Sequence, residues 1–297
     1  MRLRFTLLTA ISTALVCAQD QPPAPVSETP PAPGLPLRPG LPNVQPAEPQ
    51  PYDKVVTKDA KTQKGIFTIH KIKERYLYEI PKSALDKEFL WNTQIAKTTL
   101  GIGYGGGELV SRVVRWELQG NRVLLREINY GITADSHQPI SQAVKAANND
   151  TIVMSFPVAA FASDGAPVID VGRLFTTDIA EFSARQRLNA TGFDASRTFI
   201  ERISPYPENI ETIVTVTYTR NPLPIAANAL PQILPAGGMR PGSATVELHH
   251  SMVKLPERPM QPRLFDERVG YFTTSVMNYT FDPYRAKQVR YIARWRL

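Results

Sequence analysis

The residue types most often used in catalysis are few in this chain and poorly spaced for it. Of the four histidines, His70, His137, His249 and His250, none stands in an HExxH motif, where two imidazoles one helical turn apart hold zinc beside a glutamate base. His249 and His250 belong to the strand-like run Thr245 to His250, so their side chains point to opposite faces, one buried and one exposed. A metal role for either needs partners from elsewhere. Asp164, Asp170 and Asp178 follow one another closely enough for paired-carboxylate acid and base work. Their local context reads otherwise: Asp164-Gly165 is turn chemistry, Asp170 is placed to bond a neighbouring backbone, and Asp178 after Thr176-Thr177 fits a helix start. Gly101-Ile102-Gly103-Tyr104-Gly105-Gly106 spells a dinucleotide fingerprint, which works only between a strand and a helix. Leu109 to Arg115 continues with strand periodicity instead, so the glycines read as a flexible loop. No GxSxG elbow supplies a serine nucleophile. No catalytic, cofactor-binding or metal-ligating residue is therefore assigned, and no catalytic activity or cofactor is expected of this chain by itself.

The elements that would hold such residues begin late in the chain. Residues 1–18 read as a signal peptide, with Arg2 and Arg4 before the apolar Phe5 to Leu15 and a Val16-Cys17-Ala18 cleavage site. That apolar run is shorter than the ~20 residues that span a bilayer, so the chain is not expected to be transmembrane after cleavage. Cleavage there removes Cys17, the only cysteine, and with it any disulfide or thiolate ligand; a lipidated Cys17 is the alternative. The expected location is exported: periplasmic, outer-envelope or secreted. Residues 19–51 form a proline-rich linker, with twelve of the 27 prolines between Gln21 and Pro51, suited to an extended, semi-rigid spacer. The formal charge of +7 is a mild excess, and no dense basic run argues for nucleic acid.

The folded part reads as mainly β with a few short helices, an antiparallel sandwich or one curved sheet, divided into a small hairpin-containing unit at 52–99 and a β-rich domain at 100–297. Ile66 to Ile72 and Tyr76 to Ile80 are the first strands, joined through Lys71 to Arg75, and Ser83 caps a helical turn that runs to Lys87. Leu109 to Leu118 and Arg122 to Asn129 make a hairpin about Gly120-Asn121. Ile210 to Thr219, Ser243 to Lys254 and Tyr271 to Thr280 are further strands, and Gln142 to Ala147 and Asp178 to Arg187 are the expected helices. Asn221 to Pro241, with Gly237-Gly238 and five prolines, reads as a long exposed loop.

Six sets of segments stand in order along the chain: Lys64-Gly65-Ile66-Phe67-Thr68-Ile69-His70 with Tyr78-Glu79-Ile80-Pro81, Ala166 to Val171 with Leu174-Phe175, Ser196 to Arg202 before Pro207-Glu208-Asn209-Ile210, Leu255-Pro256 with Pro259-Met260 and Pro262-Arg263-Leu264, Asp266 to Phe272, and the final Arg294-Trp295-Arg296-Leu297. Together they resemble the N-terminal regions of bacterial exported zinc-dependent metalloproteases, regions catalogued as domains of unknown function. In that family a metzincin-like catalytic domain with HExxH lies downstream of the region matched. The resemblance therefore implies a truncated member whose zinc belongs to that missing domain, with the present residues acting as a non-catalytic accessory or prodomain-like region. Its implied partner is a metalloprotease catalytic domain, for which the aromatic and basic run Arg285 to Leu297, Trp295 included, is the expected edge. The alternative is a stand-alone envelope binding protein for a glycan or protein ligand, with Tyr104, Trp91 or Trp116 as stacking surfaces.

Overall fold

The computed structural model describes residues 48–221, 242–282 and 284–294. The signal, most of the linker, the expected loop from Asn221 to Pro241 (all but Asn221) and Trp295 lie outside the described residues.

The strands are β1 (Lys61–Lys64), β2 (Thr68–Ile72), β3 (Arg75–Glu79), β4 (Glu88–Thr98), β5 (Gly107–Gln119), β6 (Arg122–Ile128), β7 (Ile132–Thr133), β8 (Thr151–Phe161), β9 (Pro167–Asp170), β10 (Gly192–Pro205), β11 (Asn209–Thr219), β12 (Ser243–Lys254), β13 (Thr273–Asn278) and β14 (Lys287–Ile292). Three short helices accompany them: α1 (Tyr52–Val55), α2 (Ile140–Ala147) and α3 (Gly172–Thr176). Eleven strands form one sheet in the order β1-β2-β3-β9-β8-β6-β5-β4-β12-β11-β10, and every neighbouring pair in it is antiparallel. The expected mainly β, curved-sheet architecture is what forms. Strands from 52–99 and from 100–297 share this sheet, because β4 lies between β5 and β12.

Alternation explains the curl. Phe89, Trp91, Thr93 and Ile95 of β4, Val114 and Trp116 of β5, Val214, Val216 and Tyr218 of β11, and Val246, Leu248, His250 and Met252 of β12 are all buried at period two, on one face. With Tyr78, Phe67 and Phe156 they make one core, in which Phe67 meets Tyr78 and Phe89 edge-on at 5.7 Å and Trp116 at 6.1 Å. The sheet bends around these rings until its two ends approach, and Ile66 N–H donates to the Tyr206 carbonyl at 2.7 Å. Only glycine fits at this seam: a Cβ on Gly65 would lie 2.7 Å from the Tyr206 oxygen. On the opposite face α1 covers Leu77, Ala160 and Val168 through Tyr52, Val55 and Val56. A second sheet, β14-β13-β7, sits apart, with β13 antiparallel to β14 and parallel to β7.

Three local expectations are corrected. Lys82–Ala84 is a 3-10 turn entered from Pro81 without a side-chain cap, because Pro81 fixes the entry and leaves Ser83 inside the turn. Of Asp178 to Arg187, only Ala180–Phe182 takes a helical turn, also 3-10. Tertiary bonds from Asp178 and burial of Phe182 and Ala184 outweigh the local helical pattern there. The first hairpin is tighter than read, with only Lys73 and Glu74 between paired Ile72 and Arg75, and Lys73 at φ 54°.

Candidate functional site

Between β9 and β10 the chain crosses the concave face and fills it. Leu174, Phe175, Phe182, Ala184 and Leu188 of this segment all join the main core, and the Phe182 ring stacks on Trp91 at 4.7 Å. Asp178 pins the segment: it accepts from Ser183 Oγ at 2.6 Å and Tyr218 Oη at 3.0 Å, and pairs with Arg185 at 2.7 Å. Tyr218 in turn accepts from the Ala184 N–H, and burial with Asp178 nearby pushes its phenol up to about 12. Asp178 is thus a structural clamp. Asp164 and Asp170 each accept a backbone N–H two residues on, from Ala166 and Gly172, so the three acids of the sequence reading serve turns and packing separately.

The histidines are also apart. His250 lies in the core, its Nδ1 accepting from Trp91 Nε1 at 3.3 Å and lying 2.9 Å from Thr93 Oγ1. Its neighbour His249 is on the other face beside Glu211, which also accepts from Ser251 Oγ. His70 is buried, with Nδ1 2.8 Å from Thr62 Oγ1 and Nε2 3.0 Å from Glu79, whose carboxylate also accepts from Tyr52 at 2.7 Å. His137 is exposed in the connection before α2. These donor sets do not fit a zinc centre: each buried imidazole is held by its own neighbours, and among the described residues no three metal-binding side chains converge. The Tyr52–Glu79–His70 chain was invisible in sequence, since it joins α1, β2 and β3 through tertiary pairing alone.

Trp91 and Trp116 are buried core rings, whereas Tyr104 at the tip of the β4–β5 glycine loop is 97% exposed. Gly101, Gly103 and Gly106 of that loop hold φ of 83°, 144° and 85°, and a strand follows rather than a helix. Beneath it lies a cavity of about 420 Å³ between Ile95, Thr98, Ile102 and Leu188.

Among the described residues, the largest concentration of exposed apolar side chains is in the C-terminal segment. Leu264, Tyr271, Phe272, Phe281 and Tyr284 all face solvent, Phe272 at 92% and Tyr284 at 96%, and only Val289 of β13 and β14 is buried. Basic side chains border these rings: Lys287 lies over Phe281 at 5.6 Å and Arg290 over Phe265 at 3.9 Å. A water-soluble fold rarely leaves so many large rings uncovered in one segment without a use for them.

Two family models match the chain. A domain of unknown function (DUF5118) covers residues 49–98, and a second domain of unknown function (DUF5117) covers residues 106–297. No curated protein and no solved structure is detectably similar to it.

Proposed function

The chain belongs to the DUF5117 family of domains of unknown function, and from that premise we propose that it is the non-catalytic accessory region of an exported zinc-dependent metalloprotease, docking on the catalytic domain through its C-terminal sheet. The observation that carries this reading is the cluster of solvent-facing rings from Leu264 to Tyr284, bordered by Lys287 and Arg290. Aromatic residues with arginine at their margin are the side chains that dominate protein interfaces, because they bury much area at small entropic cost and pair with carboxylates at the rim. The ordered segments that resemble the metalloprotease N-terminal region support a catalytic domain of that kind as the partner. Zinc and the hydrolytic groups belong to that partner in this reading, and the present residues position or shield it.

The test is to express residues 19–297 with a zinc-loaded catalytic domain of that protease family and follow complex formation by size-exclusion chromatography and calorimetry. A complex that weakens at least tenfold with the double substitution Phe272→Ser and Tyr284→Ser, while the thermal midpoint of the free chain stays constant, supports the reading. Absence of a complex, or one indifferent to both substitutions, rejects it. The alternative of a stand-alone envelope binding protein draws on the exposed Tyr104 over its cavity; retention on a peptidoglycan or polysaccharide column that Tyr104→Ala abolishes would favour it instead.

A further inference from the structure

The sheet is not uniformly paired. β5 bonds to β4 from Gly107 to Arg115, but on its other side β6 begins only at the pair Val113–Ile128. The stretch Gly107 to Arg112 is therefore an interior strand with one open edge, and among the described residues no backbone group bonds to that edge. Alternate residues of such an edge direct N–H and C=O groups outward. The true ends of the sheet are guarded. β1 is only four residues long and carries Lys61 and Lys64, and β10 is broken by two register shifts and ends at Pro205, where the seam closes. Gly107 to Arg112 has neither lysine nor proline; its one irregularity is the bulge at Leu109, which falls between the pairs Glu108–Gln94 and Val110–Thr93.

A groove of about 450 Å³ adjoins this stretch, with Glu108, Leu109 and Val110 on the strand side and Glu181, Gln186 and Arg187 on the other, and Arg112 Nε donates across to the Glu181 carbonyl at 2.8 Å. Arg187 also lines the cavity beneath the glycine loop, where Gly107 precedes the Glu108 of the groove, so the two hollows adjoin. In that cavity Thr98 Oγ1 is buried with no hydrogen-bond partner. Arg187 is exposed and has no ion-pair or hydrogen-bond partner among the described residues.

We propose that the open edge of β5 from Gly107 to Arg112 captures an extended peptide segment of another polypeptide, which adds a strand there. Unpaired strand groups are matched in number and spacing only by another extended backbone. The chemistry of the walls selects further: an apolar side chain enters between Ile102 and Leu188, and a carboxylate meets Arg187. This inference stands on the strand edge and holds whether or not the chain serves a protease.

The probe is a fluorescein-labelled, amidated hexapeptide Thr-Val-Leu-Val-Glu-Thr, titrated into residues 19–297 and read by fluorescence anisotropy. Amide exchange of the fragment spanning Gly107 to Arg112 is measured in parallel by mass spectrometry. The expected result is saturable binding with slowed exchange in that fragment. Binding should be lost when alternate peptide nitrogens of the probe are methylated, and weakened about tenfold by Arg187→Ala. A second peptide with Gln for Glu and a free C-terminus distinguishes a side-chain carboxylate from a terminal one. The proposal is overturned if no peptide binds up to millimolar concentration or if methylation has no effect. It is equally overturned if protection appears at β1 or β10 instead, or if the fragment is already protected in the free chain, which would mean that the chain's own segment occupies the edge. Failure of the protease-docking experiment leaves all of these outcomes unchanged.

Discussion

Two polar residues, His250 in the core and the half-buried Tyr52, give testable numbers. Burial pushes the His250 imidazole down to about 3, with His249 a smaller contributor. The same ring in the unfolded chain takes up a proton near pH 6.5. Between these values the unfolded state binds one proton more than the folded state, so this contribution to stability is complete above about pH 6.5 and is lost progressively as the pH falls toward 3. Moving from pH 7 to 4.5 should cost roughly 2 to 3 kcal/mol through this group alone. Urea unfolding at the two pH values should show that loss in the natural chain and much less of it in His250→Gln, which keeps an acceptor for the Trp91 N–H; equal losses would clear His250 of the effect. The Tyr52 hydroxyl anchors α1 by donating to Glu79. Tyr52→Phe should lower stability by about 1 to 2 kcal/mol, read from the thermal midpoint, since it removes one hydrogen bond to a charged acceptor and leaves the His70–Glu79 contact in place.

Among the elements, the crossing segment between β9 and β10 and the seam at Gly65 are the points of greatest leverage. Phe182→Ala removes the ring stacked on Trp91 and should cost about 3 to 4 kcal/mol, with a change in tryptophan fluorescence that a surface substitution would not give. Gly65→Ala forces a Cβ against the backbone of Pro205 and Tyr206, so the seam must part; a loss of about 1 to 3 kcal/mol and faster amide exchange at Ile66 are expected. The strands legible in the sequence are those whose alternation is clean: β11 and β12, with branched residues at period two, and the β5–β6 hairpin with Gly120 at its tip. Others escaped for identifiable reasons. Leu90 and Ala96 blur the alternation of β4, although Phe89, Trp91, Thr93 and Ile95 carry it. Pro157 argues against a central strand in β8, yet it is tolerated where β6 begins and a register shift follows at Val158. In β10 two bulges break the period altogether. The split of His249 and His250 between faces was readable from parity. The open edge of β5 was not, because it depends on where a different strand stops pairing.

At the scale of the whole molecule, the strand order separates neighbours in space from neighbours in sequence. β12 fills the place between β4 and β11, so a fragment ending at residue 221 lacks the strand that joins them. Residues 48–221 should give no cooperative thermal transition, whereas residues 48–258, which retain β12 and lack the C-terminal sheet, should give one; cooperative melting of the shorter fragment would show that β12 is dispensable. The exposed rings of the C-terminal segment should bind a hydrophobic dye in the full chain, and Phe272→Ser with Tyr284→Ser should reduce that fluorescence without moving the melting temperature. The insertion of β12 also governs timing. Trp91 waits for His250, 159 residues further along, before its side of the sheet can close, and at about 5 to 20 residues per second of synthesis that wait lasts on the order of ten seconds. Throughout it β4 has no partner on one flank, which exposes a nascent chain to aggregation and makes holding factors valuable.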